Sequence, residues 1–214
     1  NTECFFSPSR GRYAGIHTEN GVIKPDCVFP VLHGENGEDG RIQGLFTLAG
    51  VPFVGCGTTS AAVCMNKALT KRLCALEGIS QAECVFVTAS ELESNVDEFI
   101  LRVQSKLSYP VFVKPANTGS SVGVSKAKNA EDLKKALALA AKYDEKILVE
   151  EFIDGLELET AVMGNRNPIV SGVGQILPSR EFYSYEAKYI DGTSGLIFDP
   201  DIPAEAKEKL RATA

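Results

Sequence analysis

The chain has 214 residues, 44% of them hydrophobic and 23% charged, with a formal net charge of −6; this is ordinary globular composition, enough for one large domain or two small ones. The acidic balance excludes a general nucleic-acid or anionic-membrane binder, since either needs a basic face. No run of about 18 apolar residues is present to form a membrane helix, so an anionic ligand must be held by a few well-placed local groups.

Residues 1–25, rich in Gly, Ser and Pro, read as an irregular entry with room for one short strand. Asp26–Leu32 is a short apolar run that predicts a buried strand despite Pro30. It ends in His33-Gly34-Glu35-Asn36-Gly37-Glu38-Asp39-Gly40, a polar, glycine-rich loop. Ile42, Leu45, Phe46 and Ala49 then recur at helical spacing, closed by Gly50. Val51–Val54 reads as a short strand, so the order is strand, loop, helix, strand. That places the loop on the carboxyl side of a strand, the usual ligand side of an α/β unit.

Residues 58–77 read as helical, with Asn66 as the cap of a second segment and Gly78 as its stop. Cys84–Val87 predicts a strand and Val96–Leu107 an amphipathic helix. Pro110–Lys114 predicts a strand that returns as Val122–Ser125 around a Gly-Ser loop. Asn129 caps a helix over Ala130–Tyr143, whose Leu133, Leu137 and Ala140 share one stripe. Ile147–Phe152 reads as a strand, and Leu156–Met163 with Pro168–Ile176 as a hairpin about residues 164–167. Residues 179–200 read as a charged loop, and a last helix starts near Pro203. No internal repeat interrupts this order, and the change of character near residues 55–65 marks a domain boundary.

The six cysteines (Cys4, Cys27, Cys56, Cys64, Cys74, Cys84) form no CxxC pair and are accompanied by only two histidines, so no metal-finger spacing exists. They read as reduced cytosolic thiols, most of them small buried hydrophobes. Asn1 is not an initiator residue, so a trimmed or processed start is expected, without a signal peptide.

Four segments carry chemistry. Lys114-Pro-Ala-Asn-Thr-Gly-Ser-Ser-Val-Gly123 offers one ammonium at a strand end and several unblocked backbone N–H groups, a combination that can cradle a polyphosphate. It lacks the GxxxxGK[ST] order of a P-loop, and a solvent-exposed hairpin turn would use the same glycines and serines. Glu150-Glu151-Phe152-Ile153 suits an adenine slot, in which a carboxylate accepts the exocyclic amine and backbone reads the ring edge. Adjacent strand residues face opposite ways, so at most one of the two acids can line a given cleft. Glu157 lies within reach of a ribose; a strand end with solvated carboxylates is the plainer alternative. Residues 181–189 combine three tyrosines with Lys188 in a non-periodic stretch, able to close over a site and exclude water or to serve as an anchored surface loop. His33 is either a structural hydrogen-bonder or, given its flanking glycines, a group facing a ligand.

HGENGEDG (33–40), Cys64-Met65-Asn66-Lys67, KPANTGSSVG (114–123), EEFIDGLE (150–157) and YEAKY (185–189) occur in this order. Together they resemble the D-alanine–D-alanine ligase family of the ATP-grasp superfamily, across nearly the whole chain. The resemblance implies an α/β (α+β) architecture: a partial N-terminal pre-ATP-grasp α/β substrate domain at 1–57, a central ATP-grasp subdomain at 58–149 and the start of a C-terminal ATP-grasp subdomain at 150–214. It implies an ATP-dependent, cytoplasmic enzyme of peptidoglycan precursor synthesis that joins two D-alanines through an acyl phosphate. Lys67, Lys114 and Lys188 would contact ATP phosphates beneath Gly119, Ser120, Ser121, Val122 and Gly123. Glu150, Glu151, Phe152 and Ile153 would hold adenine, and Glu157 the ribose. His33, Ser120 and Tyr189 would stand at the D-alanine sites and, together with Lys188, fill the catalytic roles. A homodimer is the family's usual assembly.

Two departures qualify the resemblance. The family's opening strand, with its glycine-rich loop and substrate glutamate, has no match before Asp26. Its late Asp…Glu-x-Asn magnesium ligands have none after Tyr189, because Asp191, Asp199 and Asp201 do not fit that pattern. The expectation is therefore an ATP-grasp core with weak or no ligase activity, with Mg2+ expected for the full-length enzyme and its ligands missing from this chain. The alternatives are D-alanine–D-serine or D-alanine–D-lactate ligation, another ATP-grasp carboxylate–amine ligase, and a non-catalytic nucleotide-binding module.

Overall fold

The computed structural model describes residues 3–177 and 195–214. The chain begins with an antiparallel meander of β1 (Cys4–Ser7), β2 (Gly15–Thr18) and β3 (Gly21–Ile23), in register Phe6↔Ile16 and Ile16↔Ile23. Three strands stand where the sequence suggested room for one. They are too short to show an alternating pattern, and their pairing is set by turns. At Gly15 (φ +120°) a Cβ would stand 2.3 Å from the Ile23 carbonyl oxygen, so this crossing admits only glycine.

The buried strand expected over 26–32 does not form. Val28 makes one parallel bridge to Phe53, through Val28 N–H to Pro52 O (2.9 Å) and Val54 N–H to Val28 O (2.9 Å), while Phe29 and Val31 are each 70% exposed. Pro30 and Pro52 each remove a ladder donor, and the strand expected over Val51–Val54 reduces to the same bridge. Between them α1 (Arg41–Ala49) closes on Gly50 at φ +70°, and its Phe46 packs on Phe6 and Phe53 at centroid distances of 5.4 and 5.6 Å. α2 (Thr58–Met65) and α3 (Lys67–Leu76) meet at Asn66, whose side chain accepts the Leu69 N–H.

The main core belongs to a four-stranded antiparallel sheet in the order β4 (Cys84–Thr88), β7 (Lys146–Glu151), β5 (Val111–Pro115), β6 (Ser125–Ala127). Alternation sends Val85, Val87, Val111, Val113, Ile147 and Val149 to one face, against Phe99, Ile100 and Val103 of α4 (Ala89–Gln104) and Leu133, Ala136 and Leu137 of α5 (Ala130–Ala140). Each large apolar side chain fully buried there contributes roughly 1.5–3 kcal/mol. The opposite face carries the cross-strand rows Cys84–Glu150–Phe112–Lys126 and Phe86–Leu148–Lys114.

Several boundaries differ from the sequence expectation for local reasons. α4 starts at Ala89, not Val96, because Thr88 and Glu91 form a capping box; non-helical Asn95 (φ −160°) then starts its second segment. β6 starts three residues later than expected because residues 119–124 are consumed by turns. α5 ends at Ala140, short of Tyr143. The expected hairpin is two ladders, β9 (Val162–Met163) with β10 (Ile169–Val170), and β8 (Glu157–Glu159) with β11 (Gly174–Leu177). β12 (Gly195–Phe198) joins β11 inside the stretch read as loop, and α6 (Ala204–Thr213) follows Pro203. All six cysteines are free, but four are exposed and Cys74 and Cys84 only half-buried, which corrects the buried reading: they lie on surface segments, strand faces and helix faces turned away from the core. Among the described residues no helix is long and apolar enough to cross a membrane.

Candidate functional site

The turn after β5 is built by backbone. Ser120 and Ser121 have φ of +51° and +61°, and Val122 N–H returns to Gly119 O at 3.0 Å, the pattern of a type I′ turn. Val124 N–H then meets Ser121 O at 3.2 Å with Gly123 at φ +71°, which puts glycine at the third position of a second turn. A Cβ at Gly123 would stand 2.7 Å from Tyr143 Cδ2 and 2.8 Å from Pro115 Cγ. These two turns, with Thr118 Oγ1 donating to Val122 O at 2.9 Å, hold the loop compact over the end of β5.

The start of α3 ties down the other side of that loop. Asn66 Nδ2 donates to Asn117 Oδ1 (2.7 Å), and Asn117 donates from its backbone N–H (2.6 Å) and Nδ2 (2.7 Å) to Asp144 Oδ2. Lys67 N–H donates to Ala116 O at 3.0 Å. The Lys67 ammonium donates to the carbonyls of Pro115 (3.0 Å), Ala116 (3.4 Å) and Thr118 (2.5 Å). Burial first, and repulsion from Lys114 second, lower the Lys67 pKa to about 8 against the attraction of Glu150 and Asp144.

One helical turn on, Lys71 Nζ stands 3.0 Å from Glu150 Oε1, and Lys114 Nζ pairs with Glu150 Oε2. Glu150 is 7% exposed. Burial pushes its carboxyl up, but the charges and hydrogen bonds of Lys114 and Lys71 outweigh burial and hold it below the usual carboxylate value. Glu151 points the other way, as strand alternation requires, and its Oε1 accepts the Glu83 N–H at 2.8 Å. The Phe152 ring lies 6.1 Å from Phe112 and carries Lys126 Nζ 3.9 Å from its centroid. Ile153 is 62% exposed, and Glu157 is an exposed residue of β8.

The loop at 33–40 meets this assembly backbone to backbone. A Cβ at Gly119 would stand 2.7 Å from Gly34 Cα, so Gly119 leaves no room for a side chain between the loops, while Gly34 is set by its backbone at φ +72°. Glu38 Oε2 accepts the Gly34 N–H at 2.6 Å, and His33 Nδ1 lies 3.9 Å from Glu38 Oε1. Two clefts flank the contact. One of about 440 Å³ is lined by His33, Gly34, Thr118, Ser120, Val122 and Tyr143. The other, about 620 Å³, includes Leu32, His33, Cys56, Cys64, Lys67 and Gly119.

Lys67, Lys114, Glu150, Gly119–Gly123 and His33 are thus brought together, whereas Glu151 is turned away and Glu157 lies on another sheet. Lys188 and Tyr189 lie outside the described residues. Sequence reasoning missed Lys71, Asn117 and Asp144. Lys71 was findable, because it follows Lys67 by four residues on one helix and so shares its face; the Asn117–Asp144 contact joins residues with no sequence signal. Among the described residues no cluster of three or more His, Cys, Asp or Glu side chains could hold a metal ion.

A family model described as D-ala D-ala ligase C-terminus matches residues 73–214, and one described as D-ala D-ala ligase N-terminus matches residues 7–56. Curated D-alanine–D-alanine ligases from Caldicellulosiruptor bescii and Acetivibrio thermocellus are each 53% identical, over 99% and 88% of this chain and 59% and 50% of their own lengths. The chain therefore spans between half and three fifths of those relatives. Among solved structures, a D-Ala:D-Ser ligase from Enterococcus faecalis matches with TM-score 0.81 at 37% identity, over 99% of this chain and 60% of its own. D-alanyl-alanine synthetase A from Vibrio cholerae matches with TM-score 0.83 at 27% identity, over 99% and 63%.

Proposed function

The chain belongs to the D-alanine–D-alanine ligase family, with the mixed helix-and-sheet ATP-grasp fold of its structural neighbours, and on that premise we propose that it forms the nucleotide cleft of an enzyme making D-alanyl-D-alanine from ATP and two D-alanines. In the proposed reaction a carboxylate oxygen of the first D-alanine takes the γ-phosphoryl group and ADP leaves. The amine nitrogen of the second D-alanine then attacks the acyl carbon, inorganic phosphate departs with the carbonyl-activating oxygen, and the amine releases a proton.

The observation that carries the reading is the convergence of Lys67, Lys114 and Glu150 beneath the Gly119–Gly123 turns. Lys114 lies at the open end of its strand, placed to exchange Glu150 for a phosphate. Lys67, a donor to three loop carbonyls, would turn its ammonium to the polyphosphate as well; fixed cations of this kind stabilise transferring charge without reorganising. Adenine would lie against Glu150 and the backbone of Phe152 and Ile153, with Glu157 toward the ribose and Lys188 toward the terminal phosphates. His33, Ser120 and Tyr189 would face the D-alanines, in the cleft shared by the 33–40 and 114–123 loops. The described residues do not fit a magnesium site, so these roles rest on the chain's own lysines, carboxylate and backbone. Cytoplasmic peptidoglycan precursor synthesis and a homodimer of the whole protein belong to the same proposal.

The test is D-alanine-dependent release of phosphate from ATP, measured on this chain and on a polypeptide of the relatives' full length carrying it. Release and dipeptide from the longer protein are expected; no D-alanine-dependent release there would reject the reading. The likeness to a D-Ala:D-Ser ligase supports a second reading for the acceptor, and product analysis with mixed D-alanine and D-serine decides between them.

A further inference from the structure

The Glu150 carboxylate has two cationic partners, and they differ in freedom. Lys114 takes Oε2 from the loop end of β5, and its side chain is 29% exposed. Lys71 takes Oε1 at 3.0 Å, and its side chain is 15% exposed. Lys71 is also fastened elsewhere: Nζ donates to Ala82 O at 2.9 Å, and its own carbonyl accepts Gln81 Nε2 at 2.8 Å. Its ammonium cannot follow a ligand without breaking the bond to Ala82 O, and the Gln81 contact fixes the backbone from which the side chain extends. Among the described residues Lys114 has no such second tether beyond its approach to the Phe112 ring.

We propose that Lys71 is a positioning residue, which holds Glu150 by Oε1 when a nucleotide draws Lys114 to its phosphates, leaving Oε2 aimed at the exocyclic amine of adenine and so selecting adenine over 6-oxopurines. The inference rests on the nucleotide reading given above. A freed carboxylate without Lys71 would be a buried charge with no fixed direction. It would swing with the ligand and accept from adenine no better than it tolerates an oxo group. With Lys71 in place, a 6-oxo group meets a fixed carboxylate oxygen, acceptor against acceptor.

The experiment compares dissociation constants of ATP and inosine triphosphate for the 214-residue chain, its Lys71→Met, Lys71→Arg, Lys114→Met and Glu150→Gln variants, and the Lys71→Met/Glu150→Gln double variant. The unaltered chain is expected to prefer ATP by on the order of ten- to a hundredfold, the scale of a hydrogen bond to a charged acceptor. Lys71→Met reduces that preference to within about threefold, Lys71→Arg retains most of it, and Lys114→Met weakens both nucleotides alike with their ratio unchanged. A Lys71→Met chain that binds ATP with the original preference overturns the inference, because a merely structural lysine would lower the melting temperature and leave the ratio alone. Should Lys71→Met fail to fold, the neutral Glu150→Gln background keeps the test: adding Lys71→Met there is expected to change the ratio no further, and a further change overturns the inference. An unaltered chain that binds neither nucleotide rejects the nucleotide reading itself, and this inference with it.

Discussion

Replacing Glu150 by alanine tests whether the three-residue charge cluster holds the cleft together. The carboxylate is 7% exposed and stands between Lys71 and Lys114, so its removal leaves two ammonium groups facing one another without their anion. Breaking a buried pair costs about 3–5 kcal/mol; Lys114 can turn to solvent, so about 3 kcal/mol is expected, a fall in melting temperature of roughly 6–12 °C for a chain of this size. Glu150→Gln keeps the volume and one acceptor and should cost less. The effect has a pH signature of defined sign. Because the folded-state pKa of Glu150 is lowered, its stabilisation is fully present above the ordinary carboxylate value and is lost as pH falls through the lowered one. Thermal melts of the chain and both variants at neutral and strongly acidic pH measure this. A neutral-pH melt of Glu150→Ala within about 2 °C of the unaltered chain, or a difference that grows in acid, would refute the argument.

Three further outcomes are expected. With its pKa lowered to about 8, Lys67 disfavours the folded state below that value, and the penalty fades as pH rises from there toward the ordinary lysine value. ATP affinity should accordingly weaken as pH rises through 8 and binding near that pH should take up protons, seen by calorimetry in buffers of different ionisation enthalpy; Lys67→Met should abolish the uptake. Gly123→Ala forces a side chain into φ +71° and against Tyr143 and Pro115, and should destabilise by about 1–3 kcal/mol while weakening ATP binding, read by thermal melts and titration. Asn66→Ala removes the α3 cap and the link to Asn117, and denaturant unfolding should show a loss of about 1–2 kcal/mol.

The elements legible from the sequence were those whose signal is local. Asn66 and Asn129 cap their helices as their positions predict, and the stripe of Leu133 and Leu137 lies in the core. The strand expected at 26–32 failed because an apolar run specifies burial only when a partner accepts it, and two prolines remove ladder donors there. The opening meander escaped notice for the converse reason: its strands of three or four residues are defined by pairing, not by their own pattern. Alternation foretold that Glu150 and Glu151 would separate, but not which would turn to the cleft.

By itself, the order of side chains determined that a run of small residues follows a strand-end lysine, that an acid pair lies at the end of a later strand, and that a histidine loop lies upstream. Those are statements about chemistry carried on single elements. Only the tertiary structure decided that Glu150 sits between two lysines from different elements, that Lys67 donates to the loop's own carbonyls, and that Gly34 meets Gly119. The reason is physical: hydrogen bonds within a turn or cap depend on neighbours in the chain, whereas the field on a buried charge depends on whichever groups packing brings within a few ångströms.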